Sequence, residues 1–444
     1  MKKIAIIGSG ITALARAWEL RKCGHMVTVL ERSDQVGGSI CSCREGAYLA
    51  EEGPNSIQVN SYEVDAFLKS IPGFSEHALY ASVDAKKRFI LKAGLPRTVP
   101  MSLLSAVTTK LWSPTGKLAL LKKLLIPTIN PGTEESIADF SRRRLGNELY
   151  EYAINPMVGG IYAGDPESLS LRYAFPKIHA LEKRRNILLV AASDVILATH
   201  KKNKPRFKKR ILSFKNGLLE LPQLLAKALG ESVKTGVCLE SIGRNQDKWV
   251  INWNDHEHSY DQVILTTPAH SLSKLPLEPS LHNALEFLGA IDYPPVSVLN
   301  VAFKRSQVSH PLDGFGLLVP ECERRSILGV LFPSSIFQHR TPEDDVLLTI
   351  FVGGNRQPEL ATPDTEELLR LVLPEIGEIL GIKDSPCFIH HKFWEKSIPQ
   401  YNLGYGQFLK QIKDVEKEFY GLQIMGNYRD GISLSNCIEQ AIRS

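Results

Sequence analysis

The sequence predicts an α/β chain that opens with a parallel βαβ unit and continues into a second, mixed sheet with helices. Three observations carry this reading. Residues 2–14 read KKIAIIGSGITAL, an apolar strand that runs through a glycine turn into a helix. Residues 27–31 read VTVLE, a second apolar strand that ends on an acid. Strand-like alternation then recurs at 232–242, 249–253, 262–269, 296–303, 314–319, 326–331 and 346–352, with a helical pattern at 365–380. Strands that mix with helices in this way predict packed α/β layers.

The first turn carries the most chemistry. Gly8 and Gly10 permit a tight turn and let the backbone approach a pyrophosphate closely. The helix that starts there offers free N–H groups and the positive end of its dipole to phosphate oxygens. Glu31, about twenty residues on, stands where a carboxylate accepts ribose hydroxyls. Ala13 takes the place of the third glycine and adds one methyl group where helix and strand pack. Two more glycine turns follow, Gly37-Gly38 in DQVGGS and Gly53 in EGPNS. Far away, residues 426–441 read GNYRDGISLSNCIEQA, a strand end, a glycine turn and a helix start. That pattern also suits close approach to a phosphate or a polar ring edge. A nicotinamide dehydrogenase needs only the first unit, so three separated glycine turns favour FAD over NAD.

Composition sets the outer bounds. A chain of 444 residues is long enough for two or three domains, and 43% hydrophobic with 23% charged residues is ordinary for a globular protein. The net charge of +5 is mild and is compatible with an acidic substrate or an anionic membrane surface without specifying either. Of seven cysteines only Cys41 and Cys43 lie close together. A lone C-x-C with no second ligand pair predicts reduced thiols and no metal site. No apolar run has bilayer length. The strand from residue 2 leaves no room for a cleaved signal, so the expectation is a soluble or monotopic, cytoplasmic protein.

Residues 100–128 interleave Leu and Trp112 with Lys110, Lys117, Lys122 and Lys123. This fits a membrane surface and fits a helical subdomain packed on its own core equally well. Residues 134–149 read as helix, with Ser136 near the start and a charged face at Arg142, Arg143 and Arg144. The most basic stretch, KKNKPRFKKR at 201–210, reads first as a solvated loop; acidic lipid heads or a polycarboxylate are its alternative partners. No nucleic acid is expected, because no aromatic platform accompanies the charge.

Several segments together carry a family resemblance. Residues 159–166 read GGIYAGDP, followed by LSL at 169–171. These resemble the G-[IV]-Y-A-G-D-P…LS segment of protoporphyrinogen oxidases. SFKNGL at 213–218 with Leu221-Pro222, GFGLLVP at 314–320, FVGG at 351–354 and IPQY at 398–401 are similar to further segments of that family, in the same order. The resemblance runs nearly end to end and points to the oxygen-dependent, FAD-containing type within the flavin amine-oxidase superfamily.

The resemblance implies a three-part protein. A discontinuous FAD-binding domain of the glutathione-reductase type would take 1–82, 212–270 and 418–444. A mixed-sheet substrate domain would take 83–91 and 271–417. A helical, membrane-associating region would take 92–211. FAD would be held non-covalently by Gly8, Gly10, Glu31, Gly37, Gly38, Gly53, Asn55 and Ser56, with Val237 beside the adenine, Thr266 and Thr267 nearby, and Gly431, Ile432 and Ser433 closing the site. The implied reaction is six-electron oxidation of protoporphyrinogen IX, with O2 as acceptor and hydride passing to flavin N5. No side chain is then expected as a catalytic acid or base. Arg88 would hold a propionate, Leu317, Leu331 and Phe351 would clamp the ring, and the backbone carbonyl of Gly160 would lie near the pyrrole N–H groups. Coproporphyrinogen III is the alternative substrate. An amine oxidase or polyene desaturase is the alternative within the superfamily, with Lys396 near Trp394 as the amine-oxidase feature. Monomer and homodimer both stay open. The chain departs from the family pattern at Gly404-Tyr405, at Arg429-Asp430 and at Ser39.

Overall fold

The computed structural model describes residues 1–83, 85–125, 133–183, 207–429 and 431–444. A five-stranded parallel sheet lies at one end. Its order is Val233–Lys234, Met26–Leu30, Lys3–Ile7, Gln262–Leu265 and Leu422–Ile424, so the first strand of the chain lies at the centre. Apolar side chains on both faces explain its near-continuous hydrophobic runs. Ile4 and Ile6 enter one core with Ala13, Leu14, Val29 and Ile438. Their neighbours Ala5 and Ile7 enter a second core on the other face with Val263, Leu265 and Trp249. Ala13 is fully buried, so its methyl group is packing material.

The helix Ile11–Lys22 starts straight from the first turn and ends with Arg21 and Lys22 in its last turn, where cations complement the carbonyl end. An antiparallel meander of Leu239–Asn245, Lys248–Trp253 and His256–Tyr260 packs against the second core. The large sheet has seven strands in the order Phe388–Trp394, Val296–Lys304, Asp345–Gly353, Ile327–Leu331, Gly314–Leu318, Lys87–Lys92 and Leu95–Thr98. It is mixed: Lys87–Lys92 pairs parallel to Gly314–Leu318 and the other pairs are antiparallel.

Pleating divides the large sheet into two faces. Phe89, Leu299, Leu317, Val330 and Ile350 pack under the helix Thr365–Leu380 through Leu368, Val372 and Ile376. The opposite face meets a hairpin, Ser42–Glu45 with Tyr48–Glu51. Ala302, Leu347 and Phe388 of the sheet pack there on Ala50, and Tyr48 stacks on Phe388.

The stretch 134–149 is two helices. Ile137–Arg144 is capped by Ser136, whose Oγ accepts the Asp139 N–H at 3.0 Å. Gly146 at φ +92° breaks it before Asn147–Leu149. The arginine face is neutralised internally: Arg142 pairs with Glu167, Arg143 with Glu135 and Glu182, and Arg144 with Glu182. Within 100–128 two short helices form, Leu103–Thr108 and Pro114–Leu125, with Met101, Val107, Leu118 and Leu121 exposed. Residues 126–128 and the first six residues of the basic stretch 201–210 lie outside the described residues. Among the described residues, no helix is long and apolar enough to cross a membrane.

Candidate functional site

The first turn is shaped by glycine at each step. Gly8 takes φ +100°, and a Cβ there would come 2.9 Å from Thr266 Oγ1. Thr266 is fixed in place, since its N–H and Oγ1 both donate to Ile7 O, at 3.0 and 2.7 Å. Gly10 caps the first helix with no side-chain acceptor, and a Cβ added there meets no atom within 4 Å. The turn of 37–38 folds back onto it: Gly37 N–H donates to Ser9 O at 3.1 Å, and a Cβ on Gly38 would lie 3.3 Å from Gly10 Cα.

Glu31 stands at the end of its strand as the spacing requires. Its Oε2 accepts from Ser9 N–H and Oγ at 2.9 and 2.8 Å, and its Oε1 from Ser33 N–H and Oγ at 2.9 and 2.7 Å. Burial alone would raise its pKa, but these four bonds outweigh burial and hold it below the ordinary value. Val237 is buried beside it and donates its N–H to Glu31 O at 2.9 Å. Asn55 Nδ2 donates to Gly53 O at 3.1 Å, with Ser56 next in the chain. Two buried polar atoms here lack a protein partner, Thr267 Oγ1 and Asn55 Oδ1. An open space over a helix start, an acid at ribose distance and orphaned polar atoms are what a dinucleotide requires. The residues present therefore fit FAD.

The segments that carry the resemblance meet in space. Gln400 Nε2 donates to Tyr162 O at 2.9 Å, joining IPQY to YAGDP. Asn355 N–H donates to Ala163 O at 2.7 Å, joining the end of FVGG to the same loop. Tyr401 Oη donates to Asn427 O and accepts the Gly431 N–H at 2.9 Å. Tyr405 Oη donates to Tyr428 O at 2.6 Å. These two buried tyrosines hold the C-terminal turn, a role that sequence reasoning missed although IPQY had been singled out. Gly431 takes φ +122°, Ile432 packs against the second core, and Ser433 caps the last helix, Leu434–Arg443. The unusual Arg429 turns to Glu416 and makes a two-point ion pair.

On the open face of the large sheet, Arg88 lies over the Phe315 ring at 5.0 Å and donates to Lys86 O. Among the described residues no carboxylate lies within ion-pair distance of Arg88. Partial burial lowers its pKa from the ordinary arginine value. The pairing places Leu331 opposite Thr349 and Gly329 opposite Phe351, and both Leu331 and Phe351 are half-buried. Gly160, in the helix Asn155–Tyr162, sits against this face, and a Cβ there would strike Leu318 Cδ2 at 2.4 Å. Leu317 is the exception and corrects the sequence expectation. It is 1% exposed and belongs to the core under Thr365–Leu380. The residue of that strand on the open face is Leu318, one position on, because a one-residue step changes face.

A buried ion pair ties the hairpin to the segment that precedes Asp345–Gly353. Glu51 and Arg340 are both nearly inaccessible, with Nη2 and Oε1 3.8 Å apart. Glu51 also accepts from Ser42 Oγ and from Leu218 N–H at 2.8 Å, while Arg340 reaches Ser213 Oγ at 2.8 Å and Phe214 O at 3.2 Å. Burial raises Glu51 to about 7 against the opposing pull of Arg340, Ser42 and Leu218. The next residues close the junction, with Trp394 Nε1 donating to Glu52 O at 2.6 Å and Asn300 Nδ2 to Glu51 O at 3.1 Å.

Comparison with known proteins agrees with this architecture. The profile of the flavin containing amine oxidoreductase family matches residues 9–444. The chain is 31% identical to protoporphyrinogen oxidase 2, chloroplastic/mitochondrial, of Arabidopsis thaliana, over 100% of this chain and 93% of that protein. It is 30% identical to coproporphyrinogen III oxidase of Staphylococcus aureus, over 99% and 97% of the two chains. A crystal structure from Exiguobacterium, provisionally assigned as a protoporphyrinogen oxidase, superposes with a TM-score of 0.81 at 24% identity over 99% and 97% of the chains and shares the fold. The chain belongs to the flavin containing amine oxidoreductase family and is an FAD-dependent oxidoreductase.

Proposed function

We propose that this chain oxidises a porphyrinogen to the corresponding porphyrin in haem biosynthesis, with O2 as the final acceptor and protoporphyrinogen IX as the substrate. The observation that carries the proposal is Arg88, a half-buried guanidinium without an acid partner among the described residues, on a sheet face that also bears Leu331 and Phe351. That combination suits a flat apolar ring with a carboxylate arm. The full-length likeness to two porphyrinogen oxidases supports the same reading.

When bound, FAD supplies a two-electron hydride acceptor. Loss of hydride from a porphyrinogen methylene gives a cation conjugated with the pyrroles, so the substrate assists its own oxidation. What is left to the chain is binding and orientation. The Arg88 fork takes a propionate, and Phe315 stacks beneath it. Leu331 and Phe351 contact the ring and exclude water. Gly160 brings its carbonyl toward the pyrrole N–H groups, and a side chain there would need the end of Leu318 to move aside. The glycine turns, Glu31, Val237, Asn55, Ser56, Thr266, Thr267 and 431–433 hold the dinucleotide. In this scheme the FAD domain takes 1–82, 212–270 and 418–444, and the exposed apolar residues of 101–121 rest on the cytoplasmic face of a membrane.

Coproporphyrinogen III is the second reading, favoured by the equally complete match to the Staphylococcus aureus enzyme. The test is anaerobic mixing of the FAD-loaded protein with each porphyrinogen, following flavin bleaching and then porphyrin fluorescence after oxygen is admitted. Faster bleaching by protoporphyrinogen IX supports the proposal. The reverse preference moves the enzyme to the coproporphyrin reading, and no bleaching by either overturns both.

A further inference from the structure

A cluster outside this machinery joins three donors of different chemistry. The Sγ of Cys43, a carboxylate oxygen of Glu52 and a ring nitrogen of His390 lie within 4.8 Å of one another, and all three residues are half-buried. Cys43 comes from the hairpin, Glu52 from the residue after it, and His390 from the edge strand Phe388–Trp394. Register brings them together: His390 pairs with Asn300, whose side chain donates to the backbone of Glu51.

The imidazole is held between two acids. Its Nδ1 lies 2.9 Å from Glu45 Oε1 and its Nε2 lies 3.1 Å from Glu52 Oε1. An Nδ1–H that donates to Glu45 fixes the ring. Nε2 then meets Glu52 either through a second proton or through a cation shared by both. A carboxylate behind the ring is the arrangement that orients a metal-bound histidine. The other Glu52 oxygen is steadied by Lys392 Nζ at 3.3 Å. Tetrahedral zinc with ligand bonds of 2.0–2.3 Å holds its donors roughly 3.3–3.5 Å apart, which small side-chain rotations reach from the spacing present.

We propose that Cys43, Glu52 and His390 form a binding site for a divalent cation of the zinc class, with Glu45 orienting His390. The mixed sulfur, nitrogen and oxygen set selects zinc-like ions over magnesium or calcium, which take oxygen donors. Cys41 lies outside the donor cluster, with its Sγ on Gly38 O at 3.4 Å, while the Cys43 Sγ lies 3.7 Å from Glu45 Oε1. The C-x-C spacing alone gave no metal signal, because His390 comes from a strand far along the chain and Glu52 on its own is an ordinary surface-type acid in the sequence. Binding exchanges the thiol S–H bond for a sulfur–metal bond and releases that proton to solvent. The ion ties the hairpin to the edge strand next to Gly53, where Trp394 already holds the Glu52 carbonyl.

The test titrates the FAD-loaded protein with Zn2+ by calorimetry in buffers of different ionisation enthalpy, and with Co2+ by difference absorption. The expected result is one site per chain, proton release, and a sulfur-to-cobalt charge-transfer band. Cys43→Ser removes the band, His390→Ala weakens Zn2+ binding at least 100-fold, and Glu45→Gln weakens it about tenfold. Cys41→Ser keeps the band. FAD absorbance reports that each variant is folded. No stoichiometric binding, or binding unchanged in both Cys43→Ser and His390→Ala, overturns the proposal. So does a band that disappears with Cys41. None of these readouts depends on the porphyrinogen reading.

Discussion

The two main sheets of this molecule present chemistry in different ways. In the parallel sheet the candidate contacts sit on turns beyond the strand ends, and those turns hold glycines, several at positive φ. In the seven-stranded sheet they sit on a face, and pleating decides which side chains take part. A turn is limited at positions such as Gly8, where φ is positive and a Cβ would crowd a neighbour, whereas a face tolerates many side chains but admits no change of phase.

The largest expected effect tests that phase. Leu317→Ala should cost about 2–5 kcal/mol in urea unfolding and leave the porphyrinogen KM unchanged, because Leu317 is core. Leu318→Ala, one residue on, should cost little stability and change KM. A reversed pattern would break the assignment of the open face.

The next prediction lies at the buried Glu51–Arg340 pair. Glu51 is raised from 4.5 to about 7, so the folded state binds its proton more tightly than the unfolded chain. Its contribution to stability is full below about pH 4.5 and is lost as pH rises through about 7, a swing of about 3 kcal/mol. Urea midpoints of the protein and of Glu51→Gln between pH 5 and 8.5 check it. The variant should lack this fall, and parallel curves would refute the assignment.

Substrate holding comes third. Arg88→Ala should raise the porphyrinogen KM about 10- to 150-fold, the range for a lost charge-assisted hydrogen bond, with a smaller change in kcat. Arg88→Lys should restore part of it. A selective fall in kcat would count against a binding role.

The smallest effect separates strain from space within one turn. Gly8→Ala must adopt φ +100° against Thr266 and should lose about 1–3 kcal/mol even without FAD. Gly10→Ser meets open space and supplies a helix cap, so thermal melting of the flavin-free protein should hold or rise. FAD affinity should fall, measured by flavin fluorescence. Equal behaviour of the two variants would remove the distinction.

The glycine turns were legible in the sequence because their demands are local. Gly8, Gly37, Gly38 and Gly431 all take positive φ, and Glu31 follows from a fixed spacing. The positions of several later strands along the chain and the helix Thr365–Leu380 were also readable from periodicity. Leu317 was not, because the pairing of Gly314–Leu318 with Lys87–Lys92 shifts register between Gly314 and Leu317. Such a shift resets which residues face out, and GFGLLVP carries no mark of it. Tyr401, Tyr405 and Arg340 owe their roles to partners on other elements, and one residue's type does not name a distant partner.

The placement of Leu422–Ile424 has a consequence for how the protein is made. This strand pairs with Gln262–Leu265, and the helix that follows it packs beside the helix begun at Gly10. A ribosome delivers the first half of that pair long before the second. Until residues beyond 418 emerge, the growing chain carries an unpaired strand edge and a bare apolar helix surface, both prone to aggregation. The last strand pairing of the parallel sheet and the packing of the helix after it therefore form late, only once residues beyond 418 are available.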